Sequence, residues 1–270
     1  MPQPVIAFLQ QSQALKAAIA DCLKKTSPKP VHRLRSSTRR IEATLELLAA
    51  VSTSVPVDHE AEPLRKALRK LRRVAGAVRD LDVHRELLKT CKKSADTVLL
   101  DRNLSNARES AARKLADVLE ENQKKVHQSL NALEAVLKPV LDLDLSGKEL
   151  IHLTRSWFAK SACNLDPEQD DQLHSIRKAG KTARYIAETG AGASKAVATL
   201  AARFEHAQET LGAWHDYLVL LDEAQASLSK QSPTTEQILQ RATGLHLKAK
   251  AVAKRLLVTF CAVPTQAGVH

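Results

Sequence analysis

The sequence predicts an all-α protein: two four-helix bundles related by an internal repeat and packed as one unit around a basic cavity. Three observations point there. Of 270 residues 44% are hydrophobic, with only 8 Gly and 10 Pro, and Ala, Leu, Lys, Arg, Glu and Gln dominate, a mix that favours helix by propensity. No run of Val, Ile and Thr alternates with period two, as a strand would require. The apolar residues recur instead at helical spacing, and one polar pattern occurs twice, once in each half of the chain.

The helices follow from apolar stripes and breakers. The first covers 5–25, with Ile6, Leu9, Leu15, Ile19 and Leu23 near one face. Thr26-Ser27-Pro28-Lys29-Pro30 ends it, because proline disfavours helical backbone in the residue before it. The second runs on to about Val51. After a connection over 52–57, with Asp58 as the expected N-cap, the third covers 59–93 on a stripe of Leu64, Leu68, Leu71, Val78 and Leu81. The fourth, 101–138, alternates the sign of its charges and stops at Pro139. Residues 140–146 separate the halves, placing one bundle at 4–139 and the other at 146–262. The second half carries helices over 148–164, 170–189, 194–229 and 234–262, broken at Gly190-Ala191-Gly192 and Ser232-Pro233. Residues 263–270 read as a frayed tail.

The repeated pattern lies on the second and sixth helices. His32, Arg35 and Arg39 share one helical face, beside a core stripe of Leu34, Ile41, Leu45 and Leu48. His174, Arg177, Lys181 and Arg184 repeat that spacing. Gly76, Asp80 and Val83 are matched by Gly212, Asp216 and Val219 at one constant offset, and Arg79-Asp80 becomes His215-Asp216. A long-period repeat of helices indicates duplication. Arg65, Arg69, Arg72 and Arg79 add a cationic ridge to the third helix. The shortage of acids from Arg65 to Arg79 argues against an ordinary solvated face, which mixes signs.

The net charge is +11, from 41 Lys and Arg against 30 Asp and Glu. It implies an anionic partner: nucleic acid, a membrane surface or a phosphate-rich polymer. Aromatic residues make up only 3%, and readers of single strands need aromatic platforms, so nucleic acid is the lesser alternative. No stretch approaches the roughly 20 apolar residues of a membrane span, and no membrane partner is expected. Cys22, Cys91, Cys163 and Cys261 stand singly, without a C-x-x-C pair. They are expected as buried small hydrophobes in a reducing compartment, and the N-terminus has no basic, apolar leader, so the protein is expected to be cytoplasmic. Nucleophile elbows, glycine-rich phosphate loops and carboxylates at metal-ligand spacing are absent. No catalytic residue, cofactor or metal is therefore expected.

The pieces His32-x-x-Arg35-x-x-x-Arg39-Arg40, Gly76-x-x-Arg79-Asp80, His174-x-x-Arg177-Lys178-x-x-Lys181-x-x-Arg184-Tyr185 and Leu211-Gly212-x-x-His215-Asp216 together resemble the conserved-histidine α-helical domain (CHAD) family. The resemblance spans about 5–262. It implies two bundles in pseudo-two-fold symmetry around a basic cavity that binds inorganic polyphosphate. His32, Arg35, Arg39, Arg40, His174, Arg177, Lys181 and Arg184 would line that cavity, with Lys178 and the ridge Arg65, Arg69, Arg72 and Arg79 beside it. Asp80, Asp216 and His215 would orient these cations and histidines. Histidines among arginines are expected to have lowered pKa values while the cavity is empty. His84, His152 and His246 are open between lining and surface.

Two departures are visible. Glu42 stands where the motif often carries another arginine, and Gln208 and Glu209 replace the cations at Arg72 and Arg73, so the first half is expected to be the more basic. The E-x-E-x-K strand of the triphosphate-processing domain that often accompanies this family is missing. The expectation is a stand-alone, non-catalytic polyphosphate binder associated with polyphosphate granules. The alternatives are a polyphosphate-processing enzyme, for which Asp80, Asp82 and Asp216 are the candidate carboxylates, and a basic helical nucleic-acid binder.

Overall fold

Helix-favouring composition and unbroken apolar stripes produce, among the described residues, eight α-helices: α1 (Pro4–Lys24), α2 (Pro28–Val51), α3 (Val57–Leu88), α4 (Ala95–Leu137), α5 (Gly147–Ala162), α6 (Asp170–Glu188), α7 (Lys195–Ser227) and α8 (Pro233–Cys261). A short 3-10 turn, Lys138–Val140, follows α4. The computed structural model describes residues 1–52, 55–229 and 231–261, and the tail expected over 263–270 lies outside the described residues. Among the described residues there is no strand, and no helix is long and apolar enough to cross a membrane.

Two helix starts differ from expectation, each for a local reason. α3 begins at Val57, with Pro56 as the N-cap residue and Asp58 inside the first turn rather than at the cap. The Asp58 carboxylate instead accepts from Arg65 Nη1 at 2.9 Å. α4 begins six residues earlier than its charge pattern suggested, because Ser94 and Thr97 cap each other's backbone N–H groups in a reciprocal box. The second half opens on a similar box between Ser146 and Glu149. The prolines at 28 and 30 end α1 and also begin α2, where a missing N–H costs nothing.

The first core lies among α1–α4, where Phe8, Leu15, Leu34, Ile41, Leu68 and Leu130 are fully buried. The second lies among α5–α8 around Phe158, Phe204 and Trp214, and it draws in Ala43 and Leu47 of α2. A third cluster joins the halves: Leu81 and Leu88 of α3 and Leu100 and Leu104 of α4 pack against Tyr217, Leu220 and Leu221 of α7 and Ile238 of α8. The chain start is tied across as well. Leu145 N–H donates to Pro2 O at 2.9 Å. Gly190 leaves room for the Pro2 ring, which a Cβ would meet at 2.7 Å.

The cysteine expectation is corrected for two of the four. Cys163 and Cys261 form a disulfide between the ends of α5 and α8, with Cα atoms 5.5 Å apart. Their positions, 98 residues apart in sequence, give no local sign of pairing; only the antiparallel return of α8 brings them together. Cys22 and Cys91 are free and buried, as expected.

Candidate functional site

α2 and α6 pack on one another where the two bundles meet, and α3 and α7 flank them. The crossing turns the two histidine-bearing faces toward one another. Arg177 and Arg39 act on each other's charge, as do Lys181 with Arg35 and Arg39, His32 with Lys181, and His174 with Arg39. Each pair joins α2 to α6. The two copies of the pattern therefore make one cluster.

Arg35 lies against Gly76 of α3, where a Cβ would stand 3.5 Å from its Nε. Its Nη2 is 3.4 Å from Asp80 Oδ1. Arg177 is buried at 8% exposure, and its backbone carbonyl accepts from Gln208 Nε2 at 3.0 Å. Gly180 makes that bond possible, because a Cβ there would stand 2.8 Å from the same nitrogen. So Gln208, replacing a cation in the copy, holds α7 to α6. The His174 and His215 rings sit 4.6 Å apart between centroids.

Among the described residues, Arg39, Arg79, Arg177 and Lys181 have no carboxylate within 4.0 Å. The Nε atoms of Arg35 and Arg39 are buried without a hydrogen-bond partner. Such donors cost about 1–3 kcal/mol each while unpaired.

The electrostatics follow from this crowding. Burial, reinforced by Arg39, Arg35 and Arg177, pushes the Lys181 ammonium down to about 7, with Asp216 opposing. Burial and the neighbouring Arg35 and Arg72 bring Arg39 to about 10. His215 falls to about 3 through burial and then Arg177. His32 and His174 are lowered as well, by burial first and the surrounding cations second. Burial raises the Asp216 carboxyl against the pull of Arg177. A half-buried group of like charges, rich in guanidinium forks, is suited to a dense oxyanion.

Several predicted lining residues point elsewhere. Arg65 pairs with Asp58 and with Glu46 of α2, and Arg69 pairs with Glu62 at 2.8 Å. Arg72 pairs with Glu42, its Nη2 donating to Oε1 at 3.1 Å. The acids missing between Arg65 and Arg79 are thus supplied from α2 and from the first two turns of α3. The ridge is not continuous: Arg69 faces a separate groove of about 520 Å³ between α3 and α4, with Lys66, Lys70, Arg73 and Lys125. Arg184 is held by Glu188 at 2.6 Å and Glu205 at 2.7 Å. Arg40 reaches Glu188 at 3.3 Å and lies over the Tyr185 ring. Lys178 is exposed at the rim beside His174.

Of the three open histidines, His84 is buried near Asp80. His152 is exposed. His246 bonds Asp170 at 2.6 Å and stacks on Trp214. The acids Glu188 and Glu205 were not anticipated; the spacing of Arg184 and Glu188 was the available signal for one of them. Asp82 turns away from the cluster and accepts from Arg108 Nε at 2.9 Å. Among the described residues no three His, Cys, Asp or Glu side chains group as metal ligands.

Comparison with known proteins adds three findings. The CHAD domain model matches residues 6–225. The crystal structure of the CHAD domain from the plant Ricinus communis is similar at 20% identity and a TM-score of 0.68, covering 96% of this chain and 90% of that one. PptA from Streptomyces chartreusis is similar at 20% identity and a TM-score of 0.59, covering 96% of this chain and 98% of that one. At that identity the two structures speak for the fold alone. A search of curated sequences gave no significant match.

Proposed function

The chain belongs to the CHAD domain family, and from that premise we propose that it binds inorganic polyphosphate, without catalysis, at the α2–α6 crossing. One observation carries the proposal. Arg39, Arg177 and Lys181 are partly or fully buried and have no carboxylate within 4.0 Å among the described residues. Cations arranged this way repel one another, and the repulsion is relieved when a polyanion enters. Polyphosphate offers charge at every unit and no base edge to read. Guanidinium groups from two facing helices meet that demand, and few aromatic platforms are needed. Recruitment to polyphosphate granules follows from the same affinity.

In this reading His32, Arg35, Arg79, His174 and Lys178 complete the lining. Asp80 orients Arg35, and Asp216 with His215 positions Arg177. Arg40, Arg65, Arg69, Arg72 and Arg184, each held by an acid, supply field at the edges rather than direct contacts.

The test replaces Arg35, Arg39, Arg177 and Lys181 by Ala and titrates long-chain polyphosphate calorimetrically. Each charged hydrogen bond contributes about 1.5–3 kcal/mol, so affinity should fall more than about 100-fold with helicity unchanged. Retained affinity would sink the site assignment. RNA displacing polyphosphate at equal phosphate concentration would favour the nucleic-acid reading instead. Sustained phosphate release with magnesium present would favour the enzyme.

A further inference from the structure

α3 carries cations on two sides. Arg65 and Arg72 turn to Glu46 and Glu42 of α2. Lys66, Arg69, Lys70 and Arg73 follow one another at three- and four-residue steps and share the next face of the helix. With Lys125 of α4 they line the groove of about 520 Å³ between the two helices. Ala67, buried and small, leaves the space open, and Asn122 completes the wall. Among the described residues no acidic or aromatic side chain lines it. Lys70 Nζ donates to Asn122 Oδ1 at 3.5 Å, and Asn122 Nδ2 is fixed on Val118 O at 2.7 Å. Glu62 and Glu121 reach Arg69 and Lys70 from outside, but both acids are exposed, and exposed pairs are weak.

The fold does not require these charges. Like charges three and four residues apart destabilise a helix. At the offset that matches Gly76 with Gly212 and Asp80 with Asp216, the four α3 positions become Ala202, Glu205, His206 and Glu209 on α7. The corresponding face in the second half thus carries two acids and no lysine or arginine. Five cations gathered round one concave space, where the other half has none at the matching positions of α7, call for a ligand that compensates them.

The groove also begins beside the crossing. At 3.6 residues per turn, Arg73 lies about 60° around α3 and about 4.5 Å along it from Gly76, the residue against which Arg35 rests. Lys66, at the far end, is about 15 Å along the helix from the same point. We propose that the α3–α4 groove is a second phosphate-binding subsite, that it takes the part of a long polyphosphate chain running on from the crossing, and that the protein thereby favours long chains over short ones. The proposal rests on the polyphosphate reading of the crossing. A linear phosphate chain suits this lining, because it brings a charge on every unit and has no base that needs an aromatic platform. Once one segment is held at the crossing, capture of the next in the groove is intramolecular, so affinity rises with chain length until both subsites are reached. Tripolyphosphate, too short to span both, should occupy each independently.

The experiment titrates tripolyphosphate and long-chain polyphosphate into the full chain by calorimetry, at one ionic strength. The groove variant combines Lys66→Gln, Arg73→Gln and Lys125→Gln. A control combining Lys114→Gln, Lys160→Gln and Lys248→Gln removes the same charge elsewhere. All six positions are exposed, so both variants should keep native helicity by circular dichroism. The native chain should bind two tripolyphosphates and the groove variant one. Long-chain affinity should fall at least about tenfold in the groove variant and less than about twofold in the control. A single tripolyphosphate on the native chain, two on the groove variant, or equal long-chain losses in groove variant and control overturn the proposal. Loss of RNA affinity in the groove variant with long-chain polyphosphate affinity intact also overturns it, and assigns the groove to nucleic acid. The reading of the crossing fails separately, if the chain with Arg35, Arg39, Arg177 and Lys181 replaced by Ala still binds two tripolyphosphates.

Discussion

Replacing Lys181 by Met should change how stability depends on pH in the ligand-free protein. In the folded chain the Lys181 ammonium is brought from its ordinary 10.5 to about 7 by burial and by Arg39, Arg35 and Arg177. The unfolded chain keeps that proton until the ordinary value. Between the two the unfolded state binds more protons, so stability rises with pH. Between about pH 7 and pH 8.5 the gain amounts to about 1.5 kcal/mol, or about 3–6 °C in Tm for a chain of this size. Met keeps the length of the stem and removes the proton. The variant should therefore lose this slope and be the more stable of the two at pH 7.

Other groups do not confuse the comparison. The Cys22 thiol, pushed up to about 12 by burial, lowers stability as pH rises past the range of a free thiol. It does so equally in both chains and cancels. Arg39 titrates near 10, above the window. The assay is thermal unfolding by circular dichroism across the pH series. Parallel curves for the two chains would refute the reasoning, because they would mean that Lys181 is no harder to charge when folded.

Three other outcomes follow. Glu42→Gln keeps the shape of the side chain that holds Arg72 but releases its charge, so polyphosphate affinity should rise by about fivefold, equivalent to roughly 1 kcal/mol; calorimetry showing no change would place Arg72 outside the binding field. Cys261→Ser opens a loop spanning 98 residues and should cost up to about 4–5 kcal/mol in denaturant unfolding. The native chain should lose the same amount on reduction, and insensitivity to reductant would contradict the bond. Leu220 has no exposed surface and lies in the cluster joining the halves, so Leu220→Ala should cost about 2–5 kcal/mol and shift one shared transition; two separate transitions would show that the halves stand alone.

The helices were legible because their signals are local. Apolar period, prolines 28, 30 and 139 and the glycines near 190 placed all eight, and most termini came within two residues. The start of α4 was missed because the Ser94–Thr97 box is a weaker mark than the charge alternation that began later. The cluster was legible in its members on α2 and α6, whose spacing puts them on one face of each helix. It was not legible which cations would be left without an acid. Arg65, Arg72 and Arg184 looked equivalent to Arg39 and Arg177 in sequence, yet Glu46, Glu42 and Glu205 reach them from other helices.

The sequence by itself determined the helical class, the membership of the family and the two histidine-bearing faces, because propensity and period act within a turn or two of helix. Only the tertiary structure decided how the halves lock together through α3, α4, α7 and α8, that Cys163 meets Cys261, and which cations remain unpaired. Those outcomes depend on contacts between residues far apart in the chain. A charge becomes a binding group or a structural one according to what the neighbouring helix places beside it.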